Sequence, residues 1–225
     1  MRFRWKLTCI PERAGMRQNR GAKEMKIIGI TGGVGTGKSL VLEYLKESYG
    51  AVCCQADEVA KRLQRKGTKC YRRIVEHFGE EILDQEGRLN RAQLAKIVFS
   101  NDAELRILNE IVHPVVKEKV KDQIRREEKR GSSLFVLEAA LLIEDNYDAL
   151  CDELWYIYTD DETRKKRLIA SRGYDEKKIQ GIFSSQLPAA TFFERCDRAI
   201  DNCESFEEAC EQIDDIMAQL GLKKI

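Results

Sequence analysis

Eight consecutive residues near the start of the chain have the types and spacing to hold a polyphosphate. Gly32-Gly33-Val34-Gly35-Thr36-Gly37-Lys38-Ser39 satisfies the pattern G-x-x-x-x-G-K-S/T without a mismatch. A run of phosphates must be wrapped by backbone N–H groups, so side chains have to be absent and positive φ tolerated; four glycines provide both. Lys38 would reach the β- and γ-phosphates, and the Ser39 hydroxyl would ligate a Mg²⁺ ion carried by ATP. Gly33, Val34, Gly35, Thr36, Gly37, Lys38, Ser39 and Leu40 are therefore the candidate ATP-binding residues. The competing reading is a glycine-rich turn that binds nothing. A match to the full pattern between a strand and a helix argues against it.

A second candidate is Asp57. It follows a short apolar run, where the carboxyl end of a strand in an open α/β sheet faces ligands. An acceptor hydroxyl being phosphorylated needs a group to orient it and take its proton. A carboxylate suits that work, because proton removal can lag behind a loose transition state. The alternative is an N-cap for a helix beginning at Glu58, a common position for aspartate.

Phosphoryl transfer also needs positive charge on the transferring oxygens. Arg164, Lys165, Lys166, Arg167 and Arg172 cluster around a predicted helix and the turn at Gly173. Arg167 and Arg172 are five positions apart, so they do not share a helix face; a helix end and a closing segment would carry them. A solvated basic face is the other reading.

The elements that must position these residues are legible in the hydrophobic pattern. Ile27, Ile28 and Ile30 predict a buried strand running into Thr31, and Leu40, Val41, Tyr44 and Leu45 predict a helix stopped by Gly50. Further strand-like runs fall at 51–54, 134–137, 154–158 and, more weakly, 198–200. Helical spacing is predicted at 58–65, 163–170, 175–187 and 206–220. Strands alternating with helices predict an α/β fold, a parallel five-stranded sheet with helices on both faces. From about 68 to 130 the pattern is helical with no convincing strand, and Pro114 should kink or start a helix there. This all-helical stretch is an expected insertion into the core.

Composition narrows the class. The chain has 225 residues, 34% of them charged, and a formal net charge of +1, so no global field draws it to nucleic acid or acidic lipid. Residues 1–24 carry a net charge of +5 and the remainder −4. That basic segment lacks the apolar stretch of a secretory signal and reads as a disordered or mis-started extension before Met25. No window has the ~18 apolar residues of a membrane span. The eight cysteines form no C-x-x-C pair, as expected of reduced thiols in a cytoplasmic protein.

Together these stretches resemble the dephospho-coenzyme A kinase family. The resemblance covers residues 26–202 and is carried by IIGITGGVGTGKS (27–39), ADEVAKRL (56–63), HFGEEIL with GRLNRAQLAKIVF (77–99), LNEIVHP (108–114), LEAALLIE (137–144) and RKKRLIASRG leading to AIDN (164–202). The phosphate loop is shared by many kinases; the series through the helical middle is particular to this family.

The resemblance implies a three-layer P-loop kinase core at 25–225, with a substrate-binding insertion at about 60–130 and a lid at about 163–188. It implies ATP-dependent phosphorylation of the ribose 3′-hydroxyl of dephospho-coenzyme A, with ATP and Mg²⁺ required. Asp57 is then the expected base, Lys38 and Arg172 act in catalysis, Arg167 binds ATP, and Arg91 and His113 bind the acceptor. Glu138 and Glu144 would lie near the nucleotide. Neither a nucleic acid, a membrane nor an obligate protein partner is expected.

Two departures stand out. Gln55-Ala56-Asp57 replaces the usual Asp-Ala-Asp, and Ala140-Leu141-Leu142 replaces Pro-Leu-Leu. The alternatives are another small-molecule P-loop kinase, acting on a nucleoside monophosphate or a sugar, and a non-catalytic nucleotide switch. The chain has no guanine-reading N/T-K-x-D motif to favour the switch.

Overall fold

A computed structural model describes residues 25–225. The extension at 1–24 lies outside the described residues. Two compact units are formed, one by the described residues up to Cys53 together with Glu127–Ile225, the other by Cys54–Arg126.

The first unit is built on parallel strands. Its sheet has the order β2-β3-β1-β4-β5, with β1 at Lys26–Thr31, β2 at Val52–Gln55, β3 at Leu134–Glu138, β4 at Glu153–Tyr158 and β5 at Arg198–Asp201. The central strand β1 pairs in parallel with β3, Ile28 opposite Val136, and with β4, Ile28 opposite Glu153. A strand flanked on both sides and covered on both faces must be apolar throughout, which is why KIIGIT is a nearly continuous buried run.

Alternation then sorts the side chains. Ile28, Ile30, Leu134, Val136, Trp155 and Ile157 point to one face, where they pack with helix α1 (Lys38–Tyr49) and the last helix, α9 (Phe206–Gln219). Val41, Leu42 and Leu45 of α1 and Ile213, Ile216 and Met217 of α9 complete that core. Tyr156, one residue out of phase with Trp155, points the other way and stacks on Phe192 at 4.8 Å between centroids. Phe192 belongs to α8 (Ala189–Arg195).

Between β4 and β5 come α6 (Asp161–Arg172), α7 (Glu176–Ser184) and α8. Helix α6 is capped by Asp160, whose carboxylate accepts from the Thr163 N–H at 2.9 Å, and ends at Gly173 with φ 60°. The sequence pattern merged α7 into one helix to 187 and missed α8. Pro188 divides them, and a seven-residue helix is too short to show a period.

The second unit is helical, as the pattern predicts: α2 (Ala56–Leu63), α3 (Lys69–Phe78), α4 (Arg91–Ser100) and most of α5 (Asp102–Arg130). Pro114 neither starts nor ends α5, which runs through it. Helix α2 begins two residues earlier than expected. Gln55 occupies its N-cap, so Asp57 is not a cap but lies within the first turn. A carboxylate there is favoured by the positive end of the helix dipole without capping geometry.

The C-terminal residues close back on α1. Asp214 of α9 accepts from the hydroxyls of Tyr44 and Tyr49 at 2.6 and 2.7 Å and from Lys224 at 2.6 Å, while the Ile225 N–H donates to the Ser48 carbonyl at 3.0 Å. Burial works against ionisation of Asp214. The three donors outweigh it and hold the carboxyl below the usual carboxylate range.

Candidate active site

The loop Gly32–Gly37 joins β1 to α1 and is folded on itself. The Thr36 hydroxyl donates to the Gly33 carbonyl at 2.9 Å, and the N–H groups of Leu40 and Val41 turn back to Gly37 at 3.0 and 3.3 Å to begin the helix. Gly37 sits at the N-cap with φ 89° and Gly35 at φ 87°, conformations that side chains resist. The first N–H groups of α1 consequently open at the loop, the arrangement that binds anions.

Lys38, the first residue of α1, folds back along the loop. Its ammonium donates to the carbonyls of Gly32 at 2.8 Å and Gly33 at 3.1 Å and lies 3.9 Å from a carboxylate oxygen of Glu138. Glu138 ends β3 and is 8% exposed, so a buried carboxylate and a cation share the mouth of the loop. Ser39 and Leu40 are exposed on the first turn of α1.

Helix α6 brings cations to the same loop. Arg164 donates from Nε to the Val34 carbonyl at 3.0 Å, pairs with Asp161 at 2.8 Å, and lays its guanidinium 4.0 Å from the Phe183 ring of α7. Arg167, half-buried, donates to the Thr159 hydroxyl at 3.4 Å and lies 4.0 Å from where a side chain on Gly37 would begin. Arg172 is the exposed last residue of α6, with its guanidinium 5.8 Å from the Tyr174 ring.

Of the predicted residues, Gly33, Val34, Gly35, Thr36, Gly37, Lys38, Ser39, Leu40 and Arg167 come together, and Arg172 stands at the end of the helix that carries Arg167. Asp57, Arg91 and His113 belong to the second unit: Asp57 exposed in α2, Arg91 exposed at the start of α4, and His113 half-buried in α5. Sequence reasoning missed Arg164 as a loop contact, although it lies in the basic cluster. It also missed Asn202, whose amide donates to the Thr36 carbonyl at 2.8 Å. AIDN, the last stretch of the resemblance, contains Asn202, but its bond to the loop spans most of the chain.

Next to Asn202, Cys203 is a poor nucleophile. Burial, reinforced by a hydrogen bond to Asp201, pushes its thiol up to about 12.

A parallel sheet with a glycine-rich loop leading from its central strand into a helix, a lysine in that loop and arginines from a neighbouring helix define a P-loop kinase. The family model described as dephospho-CoA kinase matches residues 26–208. The dephospho-CoA kinase of Shouchella clausii is 36% identical over 192 residues, covering 85% of this chain and 97% of its own. That of Carboxydothermus hydrogenoformans is 35% identical over 189 residues, 84% and 91% of the two chains. A Thermus thermophilus crystal structure is similar, with a TM-score of 0.75 and 28% identity over 88% of this chain and 99% of that one. The chain belongs to the dephospho-CoA kinase family, enzymes that phosphorylate dephospho-CoA with ATP in coenzyme A biosynthesis. The readings as a kinase for another small acceptor, or as a non-catalytic switch, are set aside.

Proposed function

We propose that the loop at 32–39 holds the phosphates of ATP while Asp57 activates the ribose 3′-hydroxyl of dephospho-CoA. The acceptor oxygen bonds to the γ-phosphorus, the bond from that phosphorus to the β,γ-bridging oxygen breaks, and ADP leaves. The hydroxyl proton passes to the Asp57 carboxylate. The observation that carries this reading is Lys38: its ammonium rests on two loop carbonyls at 2.8 and 3.1 Å, bonds that a phosphate oxygen at the loop could replace. For Asp57, support comes from the family and from its exposed place in the first turn after β2.

Arg167 neutralises phosphate charge, and Arg172 joins it when residues about 163–188 close as a lid. Residues about 60–130 serve as the acceptor-binding insertion, with Arg91 and His113 its contacts. The exposed Ser39 hydroxyl and the Glu138 carboxylate, 3.9 Å from the Lys38 ammonium, offer hard oxygen donors of the kind Mg²⁺ prefers. Mg²⁺ there would spread the negative charge of the transferring phosphates. Among the described residues no helix is long and apolar enough to cross a membrane. We place the enzyme's work in the cytoplasm, without nucleic acid, a membrane or an obligate protein partner.

The test is ADP release by the purified protein supplied with ATP, Mg²⁺ and one acceptor at a time. Dephospho-CoA should be consumed and AMP and pantothenate left untouched. Turnover of AMP or pantothenate in place of dephospho-CoA would overturn the acceptor. Lys38→Ala should abolish transfer, and removal of residues 1–24 should leave it unchanged.

A further inference from the structure

Asn202 is 1% exposed and directly follows β5. Its amide nitrogen donates to the Thr36 carbonyl at 2.8 Å, and its carbonyl oxygen Oδ1 is buried with no hydrogen-bond partner among the described residues. Turning the amide over would set two oxygens against each other, so the acceptor fixes its orientation. A buried oxygen without a partner is a cost that leucine, of similar size and branching, would avoid. Packing therefore does not account for an asparagine here. The hydrogen bond it makes is what remains to explain the residue.

That bond acts on one peptide. In a planar trans peptide the C=O and the following N–H point in opposite directions. Drawing the Thr36 carbonyl inward, towards the ends of β4 and β5, aims the Gly37 N–H outward at the mouth of the loop. Gly37 is the N-cap of α1, so this N–H lies at the anion-binding end of the helix. A side chain at Gly37 would begin 2.3 Å from the Asn202 amide nitrogen, which shows how closely the two are seated.

Thr159 shares the task less directly. Its hydroxyl is 2.8 Å from the Tyr158 carbonyl, 3.1 Å from that of Asn202 and 3.2 Å from that of Thr36. One hydroxyl proton serves one of these at a time. Arg167 donates to the same hydroxyl at 3.4 Å, linking α6 to the group.

We infer that Asn202 is a positioning residue that sets the direction of the Gly37 N–H and so preorganises the loop for polyphosphate, independently of the nucleotide's base. The inference rests on the phosphate-binding reading of the loop. It is tested by calorimetric titration of ATP and of inorganic tripolyphosphate, which has no base, into wild type, Asn202→Leu, Asn202→Asp and Lys38→Ala.

Asn202→Leu should melt within a few degrees of wild type yet bind both ligands about tenfold more weakly, the worth of one hydrogen bond to a charged ligand's cradle. In turnover, KM for ATP should rise with KM for dephospho-CoA unchanged. Asn202→Asp provides the second reading should the leucine variant not fold, and should show the same parallel loss. Wild-type affinity for tripolyphosphate in either folded variant overturns the inference. So does a loss confined to ATP, which would make Asn202 a base contact. If Lys38→Ala also binds tripolyphosphate like wild type, the loop reading itself is wrong; if Lys38→Ala loses binding and the Asn202 variants keep it, only the inference fails.

Discussion

Arg164 holds the crest of the phosphate loop, its Nε donating to the Val34 carbonyl at 3.0 Å. The same guanidinium reaches Asp161 and Gln186 and lies on Phe183, so one side chain ties the loop to both α6 and α7. Lysine keeps the charge but has no planar fork to serve several acceptors. Arg164→Lys should raise KM for ATP by about tenfold, equivalent to ~1.4 kcal/mol, the scale of one charge-assisted hydrogen bond. An unchanged KM in steady-state assays would show that the loop does not depend on this brace.

Asp57→Asn should separate binding from turnover. ATP affinity should remain near wild type while kcat falls by at least ~10², within the range of lost acid–base help. Near-normal turnover by this variant would remove Asp57 as the base and leave its place in α2 as a favourable first-turn carboxylate.

The group around Asp214 predicts how the fold responds to acid. Its folded pKa is depressed by the donors Lys224, Tyr44 and Tyr49 against the opposing effect of burial. A carboxylate of this kind adds stability that is present above its unfolded pKa of ~3.9 and is lost as pH falls through the lower folded value. Melting temperature should therefore fall more steeply for wild type than for Asp214→Asn below about pH 4. Parallel curves for the two proteins would refute the linkage.

Cys203, pushed up to about 12 by burial, should stay a thiol at neutral pH. Iodoacetamide at pH 8 should leave it unlabelled in the native protein and label it in denaturant, read by mass spectrometry. Fast labelling of native protein would contradict the burial on which the shift depends.

How much was legible in the sequence follows from the range of the interactions. The phosphate loop is local: glycines, lysine and serine carry their own geometry, and the helix read from Leu40, Val41, Tyr44 and Leu45 ends at Gly50 as its spacing predicts. The three inner strands, β1, β3 and β4, were readable because burial on both faces makes each a short apolar run, whereas the edge strand β5 buries only Ile200 and left a weaker trace. Asp57 was found, but its N-cap alternative failed because helix starts shift by a residue or two when tertiary context fixes the preceding strand end. Asn202 and Arg164 carried no signal of their contacts. Each meets the loop across more than a hundred residues of chain, and nothing in a polar residue's neighbours in sequence tells which carbonyl it will find.

The order of the sheet has a consequence for how the protein comes into being. β1 is the first of the five strands to be synthesised, yet Lys26 pairs with Leu134 and Ile28 with Glu153. Both partners emerge only after the helical stretch has been made, and closing such distant pairs is slow. A nascent chain that stops before β3 carries every residue of the phosphate loop but no strand on either side of β1 to hold it. Affinity for ATP should thus appear late and all at once during synthesis, which makes it a direct reporter of completed folding.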